Sequence, residues 1–384
     1  MPTATSFVWR ALRRAAAGLA VLVLLPYAWG PIYDFPSPAP FTGTQLWNPY
    51  ASLTGTWQRT NLHAHGQAWG GLTNGAQPDA DVATHYRNIG SSVAGVSNYM
   101  SIAAERGIDT IPLYEHGFNL GKSHQLAIGA RAVDWFDFPL WQTRSNQQYV
   151  INRVHAKSDL VALNHPSSRD AYDLAAMRSL TGYDLVEVAN GPFTAEDVWD
   201  AALSSGRAVW AVANDDTHDL RDTRRMAVGW NQIDATGNST REVVSALRAG
   251  RFYAVLRTGS LEGSGITTLH SLTVDGSTKT VNLAGVPSTI AFIGTDGAVR
   301  HTASSTLTAS YTLAPTDAYV RTVVTTPQTI LYLNPVIRWD GRSLPAPVAQ
   351  VNGPLTWLQR VVAFGALAAL TVAVVSRRRR PDAF

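Results

Sequence analysis

The chain has 384 residues, enough for two domains with appended segments. Its charged fraction is 15% against 45% hydrophobic, and the net charge of +3 is smaller than the arginine clusters near its ends, Arg10, Arg13, Arg14 and four arginines at 377–380. The body therefore offers no basic surface for nucleic acid, and the absence of cysteine excludes disulfides and thiolate metal ligation. Any metal must be held by nitrogen and oxygen, which favours Zn, Mn or Fe.

In chain order, residues 15–29 form an apolar run behind the first arginines, making 1–30 a signal peptide cleaved after Gly30 or a retained N-terminal anchor. Residues 31–58, rich in Pro, Gly, Thr and aromatic residues, read as a linker that packs on the next unit. Within 59–257, short apolar runs at 93–96, 110–113, 125–128, 160–163, 185–188 and 208–212 predict strands separated by helices. Helix 81–88 carries His85; another starts at Thr194, with Asp197 placed for a capping box, and stops at Gly206. Ser239 and Glu242 form a second such start for helix 242–249. Strands alternating with helices imply a parallel sheet covered by helices, open or closed as a barrel, with reactive groups at the strands' C-terminal ends.

From 258 to 345 the composition shifts to Thr, Ser, Val and Gly, and alternating runs at 271–274, 289–293, 306–313, 320–324 and 330–333 predict a small β-sandwich. Residues 355–376 are apolar and long enough to cross a bilayer, and 377–384 form a basic tail. The positive-inside rule puts both arginine clusters in the cytoplasm and the body outside the cell membrane.

The chemistry concentrates in Asn61-Leu62-His63-Ala64-His65 and in a few polar residues spread over the next 150 positions. Spaced i, i+2, His63 and His65 would share one strand face, as would Asp216 and His218, with Ala64 and Thr217 pointing away and no backbone strain. With Glu115, His124 and His165 they supply the neutral imidazoles and carboxylates that a hydrolytic metal centre needs. His116 is expected to turn away towards substrate or solvent, and Asp215 to serve structural hydrogen bonds. Lys122, Arg169, Arg251 and Arg59 are the cations available for an anion. Trp57, Trp69, Trp135 and Trp141 fall near the expected mouth loops, where packing explains most aromatic residues.

The order of these motifs resembles the PHP family, the polymerase-and-histidinol-phosphatase metallohydrolases. The likeness is carried by residues 61–65, Ile111-Pro112-Leu113-Tyr114-Glu115, residues 124–129, Asn164-His165-Pro166, residues 186–190 and Asp216-Thr217-His218, in a match that spans roughly residues 59–257, about half of the chain. Residues 243–251, with Tyr319-Val320-Arg321 and Asn334-Pro335, resemble the branch that includes carbaryl-type carbamate hydrolases. The resemblance implies an α/β fold, a distorted (β/α)7 barrel followed by the all-β sandwich, with metals at the barrel mouth. Where the family places Asp-His after the second strand this chain has Asn98-Tyr99, and its nearest counterpart to an early third-site ligand is Asn74.

Two divalent ions are therefore expected: one on His63, His65, Glu115 and Asp216, the second on Glu115, His124 and His165. His218 is left from the third site. A metal-bridging hydroxide, oriented by Asp216, would attack phosphorus or a carbonyl carbon, and His218 would protonate the leaving group. The expected function is a membrane-tethered hydrolase acting on a phosphoester, or on an amide, carbamate or carboxylic ester, of a small molecule or surface polymer. The competing expectation is a non-catalytic, metal-stabilised binding module displayed at the cell surface.

Overall fold

The computed structural model describes residues 4–73, 75–260 and 266–376; Asn74 and the arginines at 377–380 lie outside the described residues. Three sheets carry the body. In the first, Trp210–Asn214, Leu185–Asn190, Leu160–Leu163, Gln125–Ile128 and Leu113–His116 lie side by side in that order. All are fully buried, which accounts for the short apolar runs that mark them in the sequence.

The sheet is not the uniformly parallel one expected. Leu160–Leu163, Leu185–Asn190 and Trp210–Asn214 are parallel, but Gln125–Ile128 runs antiparallel to both its neighbours. The reason is chain length: only residues 117–124 connect His116 to Gln125, and a parallel crossover needs about a dozen residues or more. No sheet closes into a barrel among the described residues. The strand expected at 93–96 is reduced to Val93–Ala94, and beyond it only single bridges, Tyr99 to Glu115 and Ala64 to Thr217, are formed among the described residues.

The second sheet crosses the expected domain boundary. Trp57–Asn61, parallel to Val93–Ala94, pairs with Gly229–Asp234, which pairs with Phe252–Arg257, and that strand pairs with Thr329–Trp339 from the C-terminal part. Tyr319–Thr325, Ser288–Ile293 and Val299–Thr306 extend it. The third sheet, Thr268–Asp275, Thr278–Ala284 and Thr308–Thr312, shares one apolar cluster with it, including Leu269, Val281, Phe292, Val324 and Leu331. The segment 31–58 is more ordered than a linker, since Gln45–Trp47 pairs with Thr329–Trp339 and Tyr33–Asp34 with Gln350–Val351. The capping box at Ser239 and Glu242 forms, whereas the helix Glu196–Ser204 starts at Ala195 without a side-chain cap.

Helices Ala4–Trp29 and Gly353–Ser376 each contain a segment long and apolar enough to cross a membrane, and both segments are almost wholly unburied. They meet near the body: Arg360 donates to the Trp29 carbonyl at 2.9 Å, and Gln359 to that of Tyr27 at 2.9 Å.

One core residue breaks the apolar pattern. Lys279 is fully buried beside Phe292 and donates to the Val320 carbonyl at 2.8 Å, and burial pushes its ammonium well below the ordinary lysine range. The unfolded chain keeps this proton up to about pH 10.4 while the folded one releases it earlier, so stability should rise with pH between those two values. Replacing Lys279 by Met should raise the midpoint of urea unfolding at pH 7 and flatten its rise towards pH 10. An unchanged pH slope would show that the lysine is not the source.

Candidate metal centre

The site forms where the ends of the two large sheets meet, and asparagines fix that junction. Asn214 Oδ1 accepts from the Leu62 amide at 2.8 Å, and Asn61 Oδ1 from the Asp215 amide at 3.0 Å. The Asp216 amide donates to the His63 carbonyl at 2.9 Å, and the His65 amide to that of Thr217 at 2.8 Å. Both histidines thus lie beyond the strand Trp57–Asn61, in an extended segment held against the closing motif.

Asp216 and His218 likewise lie beyond Trp210–Asn214, and the expectation of relaxed backbone fails there. Asp216 has φ 49° and His165 φ 29°, a left-handed region disfavoured for side-chain-bearing residues. The left-handed turn at Asp216 carries its carboxylate into the cluster while Asp215 faces away. Asp215 accepts from the Tyr86 hydroxyl and from the amides of Ala227, Val228 and Gly229 at 2.7–2.8 Å.

Four side-chain atoms converge: His63 Nε2, His65 Nε2, Glu115 Oε2 and Asp216 Oδ1, with N···O separations of 3.1–3.5 Å. All four are buried and none has a hydrogen-bond partner. Donors around a tetrahedral ion at about 2.0–2.1 Å stand about 3.3–3.5 Å apart, and these His-to-carboxylate spacings match that. Of the four residues, His63, His65 and Glu115 bring ligand atoms mutually within 4.8 Å, with Asp216 grouping instead with His63 and His165 or with His65 and His218. On the other side of the same carboxylate, Glu115 Oε1 lies 3.0 Å from His124 Nδ1 and 3.1 Å from His165 Nε2. His218 stacks on His65 with ring centroids 4.3 Å apart, and His65, Asp216 and His218 bring donor atoms within 4.8 Å of one another. Gly117, at φ 131°, permits this approach, because a Cβ there would lie 2.4 Å from the His124 ring.

The electrostatics favour positive charge at this centre. Glu115, Glu187 and Asp216 have no Lys or Arg ion pair among the described residues. Burial opposes charge on Glu115 and Asp216, yet the surrounding histidines hold both well below the carboxylate range. Burial would depress His63, His65 and His165, but the carboxylates outweigh it and raise all three. Protons on imidazole and divalent ions are two ways of meeting the same negative charge. Burial and the neighbouring His65 push His218 down to about 4, and burial lowers His124.

Glu187 lies in the motif 186–190 but is not among the site residues expected from the sequence. Its Oε1 lies 3.0 Å from His63 Nδ1 and its Oε2 accepts from the His165 amide at 2.7 Å and Asn190 Nδ2 at 2.8 Å. It fixes the His63 tautomer so that Nε2 faces the cluster. A lone glutamate inside the buried strand Leu185–Asn190 was the available signal. Replacing Glu187 by Gln should weaken metal retention about 10- to 100-fold, measured by competition with a chromophoric chelator; unchanged affinity would refute the positioning role.

Asn98 does not reach the cluster: it donates to Asp79 Oδ1 at 2.8 Å and accepts from the Gly66 amide at 2.8 Å. Tyr99 does, stacking on His65 at 4.6 Å, and burial with the nearby Glu115 and Asp216 raises its phenol. His116 is buried rather than solvent-facing, between Gln125 Oε1 and the Phe136 carbonyl, each at 3.0 Å. His155, 3.9 Å from Asp184, and the half-buried His85 lie outside the cluster.

A cleft of about 420 Å³ opens over the centre, lined by Tyr99, Lys122, His165, Asp216, His218 and Arg225 among others. Of the expected cations only Lys122 lines it. Arg59 lies over Trp230, Arg251 beside Asp234, and Arg169 donates to the Leu120 carbonyl. Arg225, not anticipated, is held by Asn190 Oδ1 at 2.9 Å and lies over the Phe193 ring.

No protein-family model matches the sequence, and no curated protein matches it. One solved structure is similar: a two-domain protein from Bacteroides vulgatus containing a predicted PHP-like metal-dependent phosphoesterase, 10% identical, at a TM-score of 0.40 over 83% of this chain and 99% of that one. At that distance the chemistry rests on this chain's own side chains.

Proposed function

We propose that this chain is a metal-dependent hydrolase of an anionic ester, a phosphoester before a carboxylic ester, carbamate or amide. One observation carries the reading: buried, unpartnered donor atoms of His63, His65, Glu115 and Asp216 converge at metal-ligand spacing around carboxylates that no Lys or Arg neutralises. His63, His65, Glu115 and Asp216 would hold one divalent ion, and Glu115, His124 and His165 a second. Zn, Mn or Fe bound there would supply Lewis acidity and lower the pKa of water towards about 7.

The chain's own residues do the rest. Lys122 and Arg225 on the cleft wall hold the substrate's negative charge, which favours phosphate over a neutral carbamate. Asp216 orients the attacking water. The protonated Tyr99 phenol offers a hydrogen bond to an ester oxygen. His218, whose Nδ1 lies 2.9 Å from the Asp216 carbonyl and whose buried Nε2 has no hydrogen-bond partner, is placed as a further ligand or proton acceptor more readily than as the leaving-group acid. The likeness to the carbamate-hydrolase branch rests on residues 243–251 and the late strands, and it adds a carbamate to the substrates to be tried.

The strands from 57 to 257 are taken as a distorted barrel interrupted at Val93–Ala94, and 258–345 as a β-sandwich continuous with it. The two apolar helices tether the body at the outer face of the cell membrane. Full-length protein purified in detergent should carry about two ions per chain by mass spectrometry and should hydrolyse members of a panel of phosphate monoesters, diesters, carboxylic esters and carbamates. Fewer than one ion after incubation with Zn, Mn and Fe, together with no turnover, would replace the hydrolase by a binding module.

A further inference from the structure

We propose that the rim of the cleft is a bilayer-docking surface, which sets the mouth of the metal centre against the lipid–water interface. The inference rests on the membrane reading of the terminal helices and goes beyond it, since tethered bodies can also stand clear of the membrane.

Outside those helices, the strongly exposed Trp and Phe side chains among the described residues are Trp69, Phe118, Trp135, Trp141 and Phe193. All belong to segments around the cleft. Trp69 follows the His65 segment, Phe118 lies between Glu115 and His124, and Phe193 follows the strand that carries Glu187 and itself lines the cleft. Trp135 and Trp141, 60% and 68% exposed, flank a segment tied to the Phe118 loop. There the Leu120 amide donates to the Leu140 carbonyl at 3.0 Å, and the Phe118 amide to Asp137 at 2.9 Å. The Trp69 and Trp135 rings meet edge to face with centroids 5.4 Å apart.

The apolar helices leave the body at this same rim. The Tyr27 hydroxyl, two residues before the end of Ala4–Trp29, accepts from the Leu140 amide at 2.7 Å, and its ring packs edge-on against Phe138. Trp141 is the next residue after Leu140. The exposed rings are thus continuous with the bases of two helices whose apolar segments have almost no protein cover. Indole is apolar in body and polar at one end, and it is enriched where bilayers meet water. An exposed aromatic group of this kind calls for a partner, and the continuity with the helices makes that partner the phospholipid interface.

The cysteine-free chain allows single-site labelling without background. Leu120→Cys and Trp141→Cys, with Val362→Cys in the C-terminal helix and Val299→Cys on the distal edge strand, would carry an environment-sensitive fluorophore in full-length protein in phosphatidylcholine nanodiscs. Retained metal content would certify each fold. Spin-labelled lipid should quench the labels at 120, 141 and 362 at least about twofold more than the label at 299. Quenching at 362 alone would overturn rim docking and leave the anchoring intact; quenching at none of them would overturn both. Rim labels shielded from water yet unquenched by lipid would mean that protein, not the bilayer, covers the rim.

Discussion

Replacing Glu115 by Gln should empty both metal positions at once. Each oxygen of this carboxylate serves a different group of imidazoles, Oε2 facing His63 and His65, Oε1 facing His124 and His165. An amide supplies one neutral oxygen and turns an N–H pair towards the other imidazoles, so one position loses its anionic ligand and the other gains a donor where an acceptor is required. Lewis-acid stabilisation of several kcal/mol, at about 1.4 kcal/mol per tenfold, corresponds to a loss of about a thousandfold or more in kcat/KM.

Thermal denaturation provides a readout independent of turnover. Saturating metal at about 100 times its Kd should stabilise the wild type by about 2.7 kcal/mol and the variant by much less. Without metal the variant should be less stable than the wild type, because the buried His63, His65 and His165 lose a carboxylate that holds their protons. A variant that keeps two ions and full turnover would end the bridging role of Glu115 and the binuclear reading with it.

What could be read from the sequence was local. Glu115, His124, His165 and Asp216 each sit beside a short apolar run, His63 and His65 show their i, i+2 spacing, and a polar residue at the end of a buried strand is visible without knowing the strand's neighbours. Gln125–Ile128 and Leu160–Leu163 occupy the expected residues. The direction of Gln125–Ile128 was not visible, because an apolar run of four has no polarity and only the brevity of the preceding connection argues for a hairpin. The left-handed backbone at Asp216 was hidden for a related reason: a period of two describes a strand, and the strand ends at Asn214. Glu187 and Arg225 owe their roles to partners 124 and 35 residues away. Nor did composition reveal that Phe252–Arg257 and Thr329–Trp339 would join two expected domains in one sheet, since edge pairing leaves no periodic signature.

That shared sheet is braced by a buried ion pair, and Arg321→Met should cost about 3–5 kcal/mol of stability. Arg321 Nε and Nη2 meet the two oxygens of Asp200 at 2.8 and 2.7 Å, Nη1 meets Glu196 at 3.0 Å, and the Tyr319 hydroxyl donates to Asp200 at 2.9 Å. Both partners are nearly inaccessible, at 2% and 4% exposure, so removing the guanidinium strands a carboxylate with no route to water. Methionine preserves much of the packing on Trp199, whose ring lies 5.1 Å from the guanidinium carbon, which isolates the charge effect. Deleting both charges, in Arg321→Met with Asp200→Leu, should recover most of the loss, because the penalty belongs to the unpaired charge rather than to the absent bond. The consequence reaches the cleft: the helix Glu196–Ser204 begins directly after Phe193, Thr194 and Ala195, which line it, so the single variant should also raise KM while leaving metal content unchanged. Urea unfolding of the wild type, Arg321→Met, Asp200→Leu and the double variant measures the cycle; Arg321→Met within about 1 kcal/mol of wild type, the range of an exposed pair, would show that the clasp does not brace the sheet.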